Sequence, residues 1–423
     1  MKVYIETHGC KLNTADSQRI SKEILLEGFT LTDNIENSDI YILNTCTVTK
    51  SADKKARNRL RFIKKNNPGI HLVATGCYPQ RNESEVLSLG IVDTIISNDK
   101  KNQLPVILSE KFSKNIPLIV EPKIEDILIG RTRASIAIQK GCNQICSYCI
   151  VPKVRGREIS IDQDEIINQI NYLVSKGCKE VVLTGTQLGT YGYDLKEMSL
   201  YKLLVNILNR TNINRLRLSS VQPHEFSDEI LDLWTNKNYK NTLCPHFHIP
   251  LQSGSNNVLK SMRRKYSTDQ FTKIVDKIKL TIPNSSITTD IIVGFPGEEE
   301  EDHLDTKKLL IDSNISEIHV FPYSIRPGTS AFYLKDKIQT SLVTERAKEI
   351  RNISRLLKEK FLKSLIDTEQ KVLWENKYRN SGYTENYSYF SLAKSENKRT
   401  NTPITKVKIE SIEDNNLVGI ISK

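Results

Sequence analysis

The sequence predicts an α/β protein in three parts. These are an open parallel α/β sheet, a partial (β/α)6 barrel, and a small antiparallel β-barrel at the C-terminal end. Three observations predict it. Strand-like and helix-like runs alternate over the first ~115 residues, and a second alternation of six such units begins near Ala134. From about Asp367 the helical period disappears, and short strand-like runs separated by Ser-Gly and Asn-Asn turns take its place.

The first series places strands at Val3–Thr7, Asp39–Asn44, His71–Thr75 and Val92–Ser97. Helical patterns lie between them at Asp16–Glu27, Asp53–Asn66 and about Gln80–Ser88. Residues 1–115 form this unit, and 116–133, with two prolines and little periodicity, read as a linker. The second series, 134–366, has strands at Ala134–Gln139, Glu180–Thr184, Arg215–Ser219, His246–Ile249, Ser286–Val293 and Glu317–Phe321. Its helices are Asp162–Ser175, Tyr201–Leu208, Asp228–Trp234, Ser267–Leu280 and Glu299–Ile311, closed by a long polar helix over Thr344–Ile366. In such folds chemistry gathers on the loops after the C-terminal strand ends. Residues 367–423 carry strand-like runs at Gln370–Trp374, Tyr387–Leu392, Ile404–Ile409 and Leu417–Ile421.

With 38% hydrophobic and 26% charged residues the chain reads as soluble and globular. No run approaches the ~18–20 apolar residues of a membrane helix, and MKVYIETHGC has no signal-type apolar region. A cytoplasmic protein with no membrane partner is expected. The formal charge of +11 favours a polyanionic partner. Lys50–Lys65 holds eight Lys/Arg against the single acid Asp53. Ala56, Leu60 and Ile63 give that helix one apolar stripe, leaving Lys54, Lys55, Arg57, Arg59 and Arg61 on its other faces. A solvated helix face is the plain alternative to a nucleic-acid contact.

Eight cysteines in a reducing compartment are not a disulfide framework. Cys142, Cys146 and Cys149 follow the strand Ala134–Gln139 as C-x3-C-x2-C, and three thiolates at this spacing can converge on one inorganic centre. Structural zinc wants four ligands, and no fourth Cys or His stands within twenty residues downstream. Three cysteines on a four-iron cluster leave one iron open to a ligand. The chain here resembles the radical S-adenosylmethionine (SAM) superfamily, in which the open iron is chelated by SAM and the reduced cluster cleaves it to a 5′-deoxyadenosyl radical. The resemblance implies that Tyr148, before the third cysteine, packs near the adenine. Thr184-Gly-Thr186, His246-Phe-His-Ile-Pro-Leu-Gln-Ser-Gly254 and Thr289-Asp-Ile-Ile-Val-Gly-Phe-Pro-Gly-Glu298 follow or cover later strands in the same order. By that resemblance the SAM contacts are expected at Tyr148, Gly185, Thr186, Ser219, His248, Gln252, Asp290 and Arg326.

His8-Gly-Cys10, Asn44-Thr-Cys46 and Thr75-Gly-Cys77 each end a hydrophobic strand. In a parallel sheet those ends share one edge, so Cys10, Cys46 and Cys77 can meet. Three separate buried thiols are the alternative. Cys178 and Cys244 belong to no motif. Together the pattern is similar to that of the methylthiotransferases, radical SAM enzymes that bind a second four-iron cluster through three such N-terminal cysteines. They end in a small β-barrel, the TRAM domain, that engages RNA. Arg326-Pro-Gly-Thr329 and Gly382-Tyr-Thr-Glu-Asn-Tyr387 resemble family motifs as well.

Gly9-Cys-Lys-Leu-Asn13 and Leu183-Thr-Gly-Thr-Gln-Leu-Gly-Thr-Tyr-Gly192 resemble the branch acting on N6-threonylcarbamoyladenosine beside the tRNA anticodon. His8 and Thr190 depart from its usual Leu and Ser. The resemblance implies methylthiolation of C2 of that base, two 4Fe-4S clusters and SAM as cofactors, and no protein acid or base, since the clusters carry the chemistry. It implies tRNA, through the anticodon stem-loop, and an electron donor such as a flavodoxin or ferredoxin as partners, and no DNA. The isopentenyladenosine branch, the ribosomal-protein S12 branch and a non-catalytic iron–sulfur RNA-binding protein are the alternatives.

Overall fold

The computed structural model describes residues 1–112, 122–375, 379–394, 396 and 400–422, so the expected linker lies partly outside the described residues. The N-terminal sheet has five parallel strands, β1 (Lys2–Thr7), β2 (Thr30–Leu31), β3 (Ile40–Thr45), β4 (His71–Gly76) and β5 (Thr94–Ile96), in the order β2-β1-β3-β4-β5. Every residue of the central β3 is buried, because helices cover both faces of a parallel sheet. On one face α1 (Lys11–Leu26) packs Ile20 and Ile24 against Val3, Ile5, Ile40 and Ile42. On the other, α2 (Lys50–Asn66) sets its Ala56, Leu60 and Ile63 stripe against Tyr41, Leu43 and Leu72.

Two helix expectations needed correction. The first helix starts at Lys11 rather than Asp16, and its early buried residues include Asn13, Thr14, Asp16 and Ser17, so no apolar period announced it. The pattern over Gln80–Ser88 divides into α3 (Cys77–Arg81) and α4 (Glu83–Leu87), where the Asn82 side chain caps the second by accepting from the Glu85 amide at 3.1 Å. α5 (Leu104–Phe112) and α6 (Ile124–Ile127) complete this region.

The second sheet carries β6 (Arg133–Ala137), then a short antiparallel pair, β7 (Gln139–Lys140) and β8 (Ile159–Ser160), that encloses the cysteine loop and α7 (Val151–Arg155). There follow α8 (Gln163–Ser175), β9 (Glu180–Thr184), α9 (Leu200–Arg210), β10 (Arg215–Leu218), α10 (Asp228–Asp232) and β11 (His246–His248). After α11 (Asn256–Ser261) and α12 (Thr268–Thr281) come β12 (Ser286–Val293), α13 (Glu300–Asp312) and β13 (Glu317–Pro322). The parallel sets β10-β9-β6 and β11-β12-β13 are joined by isolated parallel bridges at Leu216–Leu243 and Ser220–His248. The result is the expected six-stranded partial barrel. The long helix α14 (Thr340–Lys363) packs along β13, and Ser354 Oγ accepts from the Ile318 amide at 2.9 Å.

The C-terminal strands β14 (Glu369–Trp374), β15 (Ser381–Thr384), β16 (Tyr389–Leu392), β17 (Ile404–Glu413) and β18 (Asn416–Ile421) close a barrel in the order β14-β15-β16-β18-β17. It is antiparallel except between β16 and β18, which run parallel. Five strands cannot alternate direction around a closed ring, so one parallel seam is unavoidable. The sequence pattern missed β15, which carries Gly382 and Tyr383.

Candidate active site

Cys10 sits at the N-cap of α1, Cys46 directly follows β3, and Cys77 opens α3. Because β1, β3 and β4 are neighbours, all three thiols lie at one sheet edge. Burial pushes the Cys46 thiol up to about 12, and Cys10 and Cys77 are among the charges that act on it. Gly9 and Gly76 make this convergence possible. Their φ values are +116° and +102°, and a Cβ would stand 2.8 Å from Cys46 Cβ at the first and 2.5 Å from Thr45 O at the second.

Arg155 was not anticipated. It comes from α7 of the second sheet, yet its Nη2 donates to Asn13 Oδ1 and, at 3.2 Å, to Asp16 Oδ2. Burial works against its charge, but Cys77, Asp16 and Cys10 hold it protonated. Asp16 is shared with Lys101 Nζ at 2.9 Å. No spacing in the sequence pairs Arg155 with cysteines so far upstream.

The second thiol set is the loop Cys142–Cys149. Burial raises Cys142 to about 11 and Cys149 to about 12, with the neighbouring Cys146 adding to both. Gly141 turns the loop at φ +70°, where a Cβ would lie 1.8 Å from Arg157 O. Thiols gathered in threes and partly withdrawn from solvent are stable as thiolates beside a strong positive centre, and this chemistry fits an iron cluster at each set. Around the loop stands a polar network that motif reading missed. Arg264 Nη1 donates to Cys146 Sγ at 3.1 Å and Tyr148 Oη at 3.5 Å, while Nη2 donates to Gln222 Oε1 at 2.7 Å. Gln222 Nε2 donates to Gln187 Oε1 at 2.6 Å and Gln144 Oε1 at 3.0 Å, and Gln187 Nε2 donates to Glu225.

The expected SAM contacts fall into three groups. Tyr148, Gly185, Thr186 and Ser219 surround this network. Tyr148 packs against Val258, Met262, Phe295 and Ala331. The Gly185 Cα faces Gln139, whose Oε1 accepts from the Thr186 amide at 2.9 Å. The hydroxyls of Thr186 and Ser219 are buried without a hydrogen-bond partner among the described residues, as a ligand site requires. His248, Gln252 and Asp290 form a second group. His248 Nε2 lies 3.2 Å from Asp290 Oδ2, its ring is 5.6 Å from His319, and Gln252, at φ +74°, bonds the Asp290 carbonyl at 2.7 Å. Arg326 stands apart, and its Nη2 has no hydrogen-bond partner among the described residues. It is buried, with Nη1 2.7 Å from Asp53 Oδ2 and Nε 3.2 Å from Val48 O, so it bolts the segment after β13 to the Cys46 loop.

The basic helix also divides. Arg57 is held by Glu85 at 2.7 Å and Arg59 by Glu6 at 2.7 Å, whereas Lys54, Lys55 and Arg61 are exposed. Cys178 and Cys244 are buried core thiols.

Residues 2–97 match the model of "Uncharacterized protein family UPF0004", and residues 136–310 match that of the Radical SAM superfamily. A threonylcarbamoyladenosine tRNA methylthiotransferase of Aquifex aeolicus is 36% identical over 405 residues, covering 91% of this chain and 98% of that one. The chain belongs to the radical SAM methylthiotransferase family. A tRNA-2-methylthio-N6-dimethylallyladenosine synthase of Dictyoglomus thermophilum is 37% identical, with 91% of each chain covered. In fold, the radical SAM methyltransferase TsrM of Kitasatospora setae superposes with a TM-score of 0.56 at 15% identity, over 78% of this chain and 76% of that one. As a family member the protein is an enzyme whose cofactors are SAM and 4Fe-4S clusters. No helix among the described residues is long and apolar enough to cross a membrane.

In this methylthiotransferase Glu225 offers a pH test. Burial raises its carboxyl from 4.5 to about 7 against the lowering hydrogen bonds of Gln222 and Gln187. The folded state therefore holds a proton that the unfolded chain has released, and stability falls as pH rises from 4.5 through about 7. Glu225→Gln removes that loss, so its gain over wild type is greater at pH 8 than at pH 5, by roughly 1–3 kcal/mol. Thermal melts at the two pH values check it, and an equal difference at both would refute it.

Proposed function

We propose that this enzyme adds a methylthio group to C2 of N6-threonylcarbamoyladenosine in tRNA, beside the anticodon. One observation favours this base over dimethylallyladenosine, which other relatives act on by name. The concave face of the barrel is polar and cationic. The Tyr387 ring lies 4.9 Å from His246 of β11, 4.7 Å from Arg217 of β10 and 5.4 Å from Lys11 of α1, and His319 of β13 lies 5.6 Å from His248. Thr288 and Asp290 of β12 join them through His248. Such a lining suits a hydroxylated, carboxylated substituent and disfavours an apolar one.

In this reading residues 1–115 hold one cluster on Cys10, Cys46 and Cys77, and 134–366 hold the other on Cys142, Cys146 and Cys149, with 116–133 linking them. The second of these supplies reductive SAM cleavage when bound. Thr186, Ser219 and Tyr148 position SAM, Arg264 and the glutamines orient the loop, and the closed barrel of 367–423 with Lys54, Lys55 and Arg61 engages the RNA backbone. A flavodoxin or ferredoxin supplies electrons in the cytoplasm. Mass spectrometry of tRNA nucleosides from cells with and without the gene tests the assignment. Loss of the methylthio form of threonylcarbamoyladenosine, with its precursor accumulating, supports it. Loss of methylthio-isopentenyladenosine instead moves the enzyme to the other branch, and no tRNA change turns attention to ribosomal protein S12.

A further inference from the structure

We infer that Lys11 is the specificity-determining residue of this site, its ammonium pairing with the carboxylate at the end of the substrate's N6 substituent. The inference rests on the substrate reading above and adds the side chain that enforces it.

The case begins with charge. Lys11 is half-buried at the first position of α1, and its Nζ lies 5.4 Å from the centroid of the Tyr387 ring. No carboxylate stands within ion-pair distance of it among the described residues. Its neighbours are cations: the Tyr387 ring that it approaches is also 4.7 Å from Arg217 and 4.9 Å from Arg133. Glu180 is already committed, with Oε1 2.8 Å from Arg217 Nε and Oε2 3.5 Å from Arg215 Nη1. Arg133 pairs with Glu375 at 2.7 Å, Asp290 with His248 at 3.2 Å, and Glu317 with Lys358 at 3.1 Å. Every acid named here is taken, and Lys11 has none of its own.

The leftover donors agree. Arg217 Nη2 and His246 Nδ1 are both buried without a hydrogen-bond partner among the described residues. Their residues are no more than 3% exposed, so water does not readily satisfy them. An ammonium, a guanidinium NH and an imidazole nitrogen gathered around the Tyr387 ring leave positive charge for an anion to match. Keeping such charge without a counter-ion is costly, and a carboxylate arriving with the substrate offsets that cost. Location adds the rest. Lys11 follows Cys10 directly at the start of α1, and its Nζ reaches from there to the Tyr387 ring. In adenine, C2 and the carbon bearing N6 flank the same ring nitrogen, so an anion held at Lys11 and a C2 facing Cys10 belong to one base. A dimethylallyl group in the same place would leave the ammonium and the guanidinium NH unmatched.

The test compares holoenzyme and its Lys11→Met and Lys11→Arg variants on three anticodon stem-loops. One carries N6-threonylcarbamoyladenosine, one its methyl ester, and one N6-dimethylallyladenosine. Iron content and visible spectra report cluster loading, and nucleoside mass spectrometry gives kcat and KM. Wild type is expected to favour the free acid over the ester by about 30-fold or more in kcat/KM, the size of effect for one buried charge pair. In Lys11→Met that preference collapses, mainly through KM, and Lys11→Arg restores part of it. A Lys11→Met enzyme that keeps the wild-type preference for acid over ester overturns the inference. So does a wild type with no such preference, a result independent of how the variants fold. A wild type that modifies only the dimethylallyl RNA overturns the substrate reading itself, and the role of Lys11 with it.

Discussion

Cys146→Ala is expected to abolish formation of 5′-deoxyadenosine, and Cys46→Ala to retain it while stopping sulfur insertion into RNA. The separation follows from where the two thiol sets are built. Cys142, Cys146 and Cys149 lie on one loop between β7 and β8, and removing Cys146 leaves two thiols where three are needed to hold a cluster with one open iron. It also strips Arg264 of its sulfur acceptor at 3.1 Å, loosening Tyr148 and Gln222 together. Cys46, by contrast, is anchored by a different sheet. Its loop is pinned by Arg326 on Val48 O and Asp53, and those contacts survive the change to alanine. Chromatography of the SAM products after chemical reduction gives the first readout and nucleoside mass spectrometry the second. The expected fall is about 1000-fold or more for each blocked step. Reductive SAM cleavage by Cys146→Ala would refute the assignment of that loop, and methylthiolation by Cys46→Ala would refute the other.

Much of this arrangement was legible because parallel strands are buried on both faces and read as continuous apolar runs. Ile40–Asn44 and Val181–Leu183 are such runs, and a cysteine just past three of the first sheet's strands is a spatial statement once the strands are parallel. What stayed hidden has one physical cause. Side chains that join distant segments have no local period. Arg155 reaches Asn13 and Asp16, and Arg326 reaches Asp53, across separations of 139 to 273 residues. The motif around Arg326 was visible, but its partner was not: the buried Asp53 Oδ2 that it meets is shared with Arg81 at 3.1 Å. The polar first turn of α1 was missed for the same reason. Its buried face is held by hydrogen bonds, such as those from Asn13 Nδ2 to His8 O at 2.7 Å and Thr45 O at 3.0 Å, rather than by an apolar stripe.

The largest stability effect is expected at Glu180, on the opposite end of the barrel from the cysteine loop. Its carboxylate is fully buried and held below its ordinary range, against burial, by Arg217 first and then by Arg133 and Arg215. One acid thus serves two buried guanidiniums, and both reach onward to the C-terminal barrel. Arg215 donates to Lys371 O at 2.5 Å and Tyr383 O at 3.2 Å, and Arg217 donates to Glu385 O at 2.9 Å. The Tyr387 ring caps the cluster, 4.7 Å from Arg217 and 4.9 Å from Arg133. Glu180→Gln leaves two charges in the interior without a counter-ion and costs about 3–5 kcal/mol. Arg215→Met costs less, because Glu180 and Arg217 remain a matched pair at 2.8 Å. Since the same cluster docks residues 369–421, Glu180→Gln also exposes that barrel to proteases before the rest unfolds. Calorimetry and timed proteolysis read the two effects. If Glu180→Gln proved no more destabilising than Arg215→Met, charge balance would not be what holds the C-terminal barrel on the enzyme.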